Sequence, residues 1–348
     1  MRVGLLLEQS LAPVPGGTGR YSRELQRALT ATAPAGSTVD GWSAWHRGSP
    51  YRRLPLPRRA LIAAWERGRG PGLVADVVHA PTPLHPPRRD TPLVVTVHDA
   101  VPWTAPDTLT SRGVAWHRTM IARAVATADL IVVPTRAVAE ALGHHVALRD
   151  VLVVGGGVST DLRLPPDAEA RAARLGLPER YLLTVGSLEP RKGLKDLVAA
   201  MGALEEDLPL LCAGAGGWGD LGLPDGSVRL LGRLSDADLA VAIHRATALV
   251  VPSRDEGFGL PLLEGMHLGT PVLTSDAPAL VEVAGGAALA VPLAELPDGL
   301  RQITTDEPLR ERLRRDGPRR ASSYTWEGAA QELWRAYGDV HEQATEQA

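Results

Sequence analysis

A chain of 348 residues is longer than one hydrophobic core usually serves, so two domains are expected. Apolar residues make up 44%, ample for two cores, and no run reaches the roughly 18 apolar residues that argue for a membrane-spanning helix. The net charge of −3 hides an asymmetry: residues 1–161 hold 18 Arg and no Lys against 12 Asp and Glu, a net of +6, which leaves −9 for the remainder.

A basic first half points to an anionic partner such as a lipid phosphate or a membrane surface, and solvated arginines account for it equally well. The single cysteine, Cys212, lies in an apolar stretch and reads as a small buried hydrophobe, so nothing calls for an oxidising compartment. The chain opens directly on a strand, Arg2 to Leu7, without the basic and long apolar regions of a signal peptide. The expectation is a cytoplasmic protein with peripheral membrane contact through its basic half.

Short β-rich runs bounded by turn residues follow one another: Val3–Leu7, Val74–His79, Leu93–Val97, Leu130–Val133 and Val151–Val154. Helical spacing fills the gaps at Tyr21–Thr32, Trp116–Thr127 and Arg136–Leu142. Residues 47–92, rich in Arg and Pro, read as an irregular, mobile excursion. Gly155–Pro178, which opens on three successive glycines and carries Pro165, Pro166 and a charged helix, reads as the domain linker. The alternation then resumes at Tyr181–Val185, Leu210–Ala213, Val228–Leu231, Ala248–Val251, Pro271–Thr274 and Leu289–Val291. A last helix runs from Thr325 to about His341. Strand and helix in alternation mean α/β architecture, with a parallel sheet flanked by helices, here twice over.

The most informative stretch runs from Val250 to Glu264. A buried strand ends, glycines turn the chain, and a helix begins near Leu260–Pro261, where proline fits the first turn. Backbone N–H groups at Gly257, Phe258, Gly259 and Leu260 then face an anion at a positive helix end. Two carboxylates flank this turn, Glu256 before the helix and Glu264 inside it. Phosphate alone would not call for acids, but a sugar would, since a carboxylate accepts from vicinal hydroxyls. A nucleotide sugar has both parts.

Other turns are read in the same way. Lys192 and Lys195 are the only lysines in the chain, and Lys192 sits in Gly186-Ser187-Leu188-Glu189-Pro190-Arg191-Lys192-Gly193 at a strand end. A compact cation beside the planar fork of Arg191 suits diphosphate oxygens. His98-Asp99 ends another strand at its carboxyl edge, where ligands bind in such folds. Asp99 is placed to orient the imidazole or to touch an acceptor, and both readings stay open. Trp103 is read as packing, with stacking on an acceptor as the other reading. Pro15-Gly16-Gly17-Thr18-Gly19 fails as a dinucleotide fingerprint, because it lies too far from its strand and lacks the acid about twenty residues on. A flexible glycine loop near a ligand is the better reading. Asp236-Ala237-Asp238 has a metal-binding look, but Ser235 with Asp238 fits a helix cap. No metal is expected.

Glu256-x7-Glu264 around Gly-Phe-Gly-Leu-Pro, continuing to Gly269-Thr270-Pro271-Val272, resembles the donor-site signature of retaining glycosyltransferases of family 4. The resemblance implies the GT-B fold: two Rossmann-like domains facing an interdomain cleft, residues 1–161 with a final helix 325–348 crossing back, and residues 162–324 for the donor. By the same resemblance, Gly16 and Gly17 approach the donor diphosphate, and His98 contacts the transferred sugar. Lys192 and Arg191 neutralise the diphosphate, and the turn Arg233-Leu234 holds the base. Many members carry an arginine where this chain has Ser187, which shifts charge onto Arg191. Front-face retaining transfer without a metal is implied, with closure of the cleft. No resident cofactor is expected; the nucleotide diphosphate sugar is a co-substrate. Val97-His98-Asp99 with Val101-Pro102 favours the mannosyltransferase-like branch and GDP-mannose, with a UDP-hexose next. The acceptor is expected to be a hydroxyl of a glycan, a glycolipid or a small molecule, anionic or lipid-linked, and no nucleic-acid partner is expected. A nucleotide-sugar epimerase or a phosphorylase is the alternative from another class. Lysines in a phosphate-type turn argue against the Schiff base a phosphorylase needs.

Overall fold

The computed structural model, which describes residues 1–346 apart from 205, 215 and 217–221, divides into two units. One comprises Met1–Gly156 and the segment from Thr325 onward; the other is Gly157–Tyr324.

The first unit is a parallel sheet of seven strands: β1 Arg2–Leu6, β2 Thr38–Trp45, β3 Arg52–Pro57, β4 Val77–Ala80, β5 Leu93–Thr96, β6 Leu130–Val133 and β7 Val151–Val153. Their order across the sheet is β3-β2-β1-β4-β5-β6-β7. Both faces are buried, which is why the central strands read as continuous apolar runs. In β5, Leu93 and Val95 enter one core while Val94 enters the other, as a period of two requires.

Two expectations fail here. Residues 47–92 are not an irregular excursion: β3 pairs with β2 through Trp42–Arg52 and Ser43–Arg53, and a helix follows at Arg58–Glu66. Prolines 55 and 57 misled because proline is tolerated on an edge strand, where its missing N–H is not needed. Gly16 and Gly17 do not form a flexible loop either. They make the first turn of the helix Gly16–Ala31, with Gly16 at φ +62°.

The final helix, Trp326–Glu346, packs on Gly16–Ala31 in the first unit. Trp334 Nε1 donates to the Leu29 carbonyl at 3.0 Å, and Leu333 and Tyr337 are fully buried.

Among its described residues the second unit holds six strands: β8 Leu182–Val185, β9 Leu210–Ala213, β10 Arg229–Gly232, β11 Ala248–Val251, β12 Val272–Ser275 and β13 Leu289–Val291. They are parallel, in the order β10-β9-β8-β11-β12-β13. In β11, Leu249 and Val251 enter one core and Ala248 and Val250 the other. The order reverses between β8 and β11. The helices that follow those two strands pack on opposite faces of the sheet, Leu194 and Leu197 in one core and Leu262 and Leu263 in the other, and in such folds ligands bind outside the carboxyl ends of the strands at this point.

Candidate functional site

Both turns at that reversal carry charge. After β8 the chain passes Gly186 and Ser187 and makes a 3-10 turn, Pro190–Lys192. After β11 it runs through Pro252 and Ser253 to Glu256 and the helix Leu260–His267. The turns press backbone to backbone: a Cβ on Gly193 would lie 1.8 Å from the Pro252 carbonyl oxygen. The Arg254 N–H donates to the Arg191 carbonyl at 2.9 Å. Gly214, just past β9, is pinned likewise, since a Cβ there would lie 1.9 Å from the Gly186 carbonyl oxygen.

The contact delivers two cations to one carboxylate. Lys192 Nζ donates to Glu256 Oε1 at 2.5 Å, and Arg191 donates to Oε2 at 3.0 Å. Ser253 Oγ donates to Oε1 at 2.8 Å, and its own carbonyl accepts from Ser275 Oγ at 2.5 Å. Burial alone would push the Glu256 carboxyl up. The charges of Lys192 and Arg191, with the hydrogen bonds from Lys192 and Ser253, outweigh it and hold the group down at about 2. Glu256 is therefore ionised at neutral pH. It can accept hydrogen bonds and cannot act as a general acid.

Gly259 caps the next helix at φ +83°, and no side chain caps its first turn. A left-handed residue there lets the chain turn sharply into the helix, leaving backbone donors at its positive end. Glu264, one turn in, is buried. The Phe258 ring packs into the core, edge-on to Tyr324 at 5.4 Å, so only its backbone can face a ligand. Leu260 packs against the same core. Arg233 and Leu234 follow the edge strand β10, Arg233 exposed and Leu234 half-buried on the core.

In the first unit, His98 is half-buried just past β5. Its Nε2 lies 2.8 Å from the Pro81 carbonyl, which can only accept, so Nε2 carries the proton. Burial lowers the ring's affinity for a second proton, against the opposing effects of the Pro81 bond and Asp99. The imidazole is neutral and Nδ1 is an acceptor. Asp99 accepts from the Val101 N–H at 3.2 Å and so shapes the turn. Trp103 stacks on His145 at 5.5 Å.

Comparison with known proteins identifies the family. Residues 167–320 match the family described as Glycosyl transferases group 1, and residues 15–162 match Glycosyltransferase Family 4. Phosphatidyl-myo-inositol mannosyltransferase of Mycobacterium leprae is 30% identical over 98% of this chain and 97% of its own. The chain belongs to glycosyltransferase family 4.

Within that family this glycosyltransferase also resembles O-antigen chain mannosyltransferase B of Escherichia coli, at 33% identity. That match spans 45% of each chain, so the chain covers under half of this relative's length. Anabaena HepE, crystallised with UDP-glucose, shares the fold at a TM-score of 0.71 and 18% identity, covering 97% of this chain and all of its own. The two α/β units with parallel sheets are those of the GT-B class.

The glycosyltransferase thus gathers Gly186, Arg191, Lys192, Glu256, Gly257 and Gly259 at one sheet edge. It leaves Arg233 and Leu234 at the end of the edge strand, and carries Gly16, Gly17 and His98 on the other unit. Asp238 is engaged by Arg171 at 2.8 Å, Arg174 at 2.6 Å and its cap Ser235. Three contributors escaped sequence reasoning. Ser253 was findable, since a hydroxyl three residues before a glutamate has capping-box spacing. Gly193 was findable as a left-handed residue closing a turn. Gly214 had no signal.

Proposed function

We propose that the chain transfers a hexose from a nucleotide diphosphate sugar, GDP-mannose first, to a hydroxyl of a glycan or glycolipid, with retention of configuration. The observation that carries this reading is the clustering of Lys192, Arg191 and Glu256 where the strand order reverses. There a diphosphate and a sugar ring meet complementary groups within a few ångströms. Two relatives are mannosyltransferases, which supports the sugar.

In this reading Lys192 stabilises the departing diphosphate as its charge grows. An ammonium has three donors, and Glu256 engages one of them. The positive end of the helix Leu260–His267 adds backbone donors. Glu256, with three of about four acceptor sites filled by Lys192, Arg191 and Ser253, has room for one more donor, a sugar hydroxyl. Glu264 accepts from the ribose. His98 accepts a sugar hydroxyl at Nδ1. Gly16 and Gly17 let backbone approach the diphosphate, and Arg233 and Leu234 hold the base. None of these steps calls for a metal. UDP-glucose is the second donor, because HepE, which shares the fold, was crystallised with it.

The test is a thermal-shift screen of nucleotide diphosphate sugars followed by mass-spectrometric donor turnover, since a ligand that binds the folded form raises the midpoint. GDP-mannose is expected to give the largest shift and to be consumed. A shift with UDP-glucose alone replaces the donor, and no shift with any nucleotide sugar ends the reading.

A further inference from the structure

Two polar side chains interrupt the apolar face on which the final helix Trp326–Glu346 packs. His79 on β4 and Thr96 on β5 share that face with Val77 and Val94, and both are completely buried. They are not isolated. Tyr337 Oη, on the final helix and also completely buried, lies 2.6 Å from His79 Nδ1. His79 Nε2 lies 2.8 Å from Thr96 Oγ1. Burial pushes the Tyr21 hydroxyl, on the helix Gly16–Ala31, up to about 12, against the side chain of Thr96, which favours its ionised form. Tyr21 meets the His98 ring edge-on, at 4.7 Å between centroids and 83° between planes. It meets Trp326 of the final helix at 5.3 Å.

Burial drives His79 down to about 3, so its ring is neutral, one nitrogen donating and the other accepting. Donor and acceptor roles then alternate along the line whichever tautomer holds. Aliphatic side chains would fill the same volume without polar groups to satisfy, and burying polar groups is unfavourable unless each is paired. A hydrophobic core needs no such line, but a ring that must be held in one orientation does. His98 has its Nε2 fixed by the Pro81 carbonyl and its ring edge fixed by Tyr21. Tyr21 is itself held between that ring and Trp326 of the final helix.

We infer that the buried line Tyr337–His79–Thr96–Tyr21 holds the His98 imidazole in place, which makes the final helix a positioning element for the histidine assigned to the sugar. This rests on the role proposed above for His98. The four residues touch neither donor nor acceptor; they act through His98. The chain thus returns to its first unit with a functional contact as well as a packing one.

The test compares Tyr337→Phe, which deletes one hydroxyl of the line, with Trp334→Phe, which loosens the same helix off the line. Thr96→Val, cutting the line nearer His98, serves if Tyr337→Phe does not fold. Two readouts are taken: the side-chain nitrogen resonances of His98 in isotopically labelled protein, and kcat against KM for donor consumption. Tyr337→Phe and Thr96→Val are expected to move the His98 resonances and lower kcat about 10-fold, the scale at which a small misplacement acts, with KM within about twofold. Trp334→Phe is expected to leave both readouts near wild type while lowering the melting temperature. Unmoved His98 resonances in Tyr337→Phe and Thr96→Val, or equal movement in Trp334→Phe, would overturn the inference. His98→Ala separates the two levels. Undiminished turnover there removes the sugar-contact role, while the ring resonances still decide whether the line holds the ring.

Discussion

Lys192 and Glu256 meet at 2.5 Å although they are 64 residues apart, because one follows β8 and the other β11, the two strands flanking the reversal of order. The cation proposed for the diphosphate and the acid proposed for the sugar are thus one electrostatic unit. A donor that draws the ammonium toward its phosphates leaves acceptor capacity on the carboxylate at the same moment.

Lys192→Ala removes the compact charge beside the leaving group. Donor turnover is expected to fall about 10²- to 10³-fold, the range for losing one preorganised donor at a developing anion. Lys192→Arg is expected to recover only part, since a planar fork does not replace a point charge. Steady-state kinetics with the preferred donor checks both, and unchanged turnover in Lys192→Ala would remove the phosphate role.

Ser253→Ala withdraws a buried hydroxyl from an ionised acid. The expected loss is about 2 kcal/mol of stability at pH 7, as for hydrogen bonds to charged groups. Glu256 is depressed in the fold, so its contribution is complete above about 4.5 and disappears as pH falls through about 2. Without Ser253 the folded-state value rises, so the loss still begins near 4.5 but is smaller and is complete at higher pH. Urea titrations at pH 7 and pH 3.5 measure it, and equal stability at pH 7 would show that the hydroxyl is dispensable.

Gly193→Ala sets a methyl group against the Pro252 carbonyl in a left-handed turn, φ +67°. One or both turns must move, at about 3 kcal/mol or more. The variant should also lose the thermal shift that the donor gives wild type, because the backbone contact brings Lys192 to Glu256. A wild-type midpoint with an intact donor shift would contradict this packing.

His79 sets a pH dependence on the first unit. Its folded-state value near 3 lies below the roughly 6.5 of an unfolded histidine, so the unfolded chain takes up a proton that the folded one refuses. Stability is therefore full above about 6.5 and falls as pH drops toward 3, by about 1.4 kcal/mol per pH unit. His79→Asn does not titrate there. Between pH 7.5 and 5.5 it is expected to lose about 1.4 kcal/mol less than wild type, as read by urea titration. His98 and His85, also depressed, act alike in both proteins and cancel. Parallel losses would place the His79 proton affinity at its ordinary value.

The turns of the second unit were legible because their residues are local. Gly257, Gly259, Pro261 and Glu264 lie within one turn and one helix, and a turn, a helix start and an acid each have a sequence signature. Lys192 stood out by composition alone in a chain that otherwise uses arginine. The first unit was read less well. β3 was hidden by its prolines, which an edge strand tolerates, and the first turn at Gly16–Gly17 was hidden by glycines that suggest a loop. His79 and Tyr337 carried no signal, since 258 residues separate them and neither lies in a motif.

The amino-acid sequence by itself determined the alternating α/β class, the phosphate-type turns and the family, because these follow from hydrophobic period, turn chemistry and motif spacing along a few neighbouring residues. Only the tertiary structure decided that Lys192 and Arg191 clasp Glu256, that Gly193 must lack a side chain, and that Tyr337 of the final helix meets His79 and, through it, Thr96. Each depends on strands adjacent in a sheet and distant in the chain, and strand order is a property of the packed core.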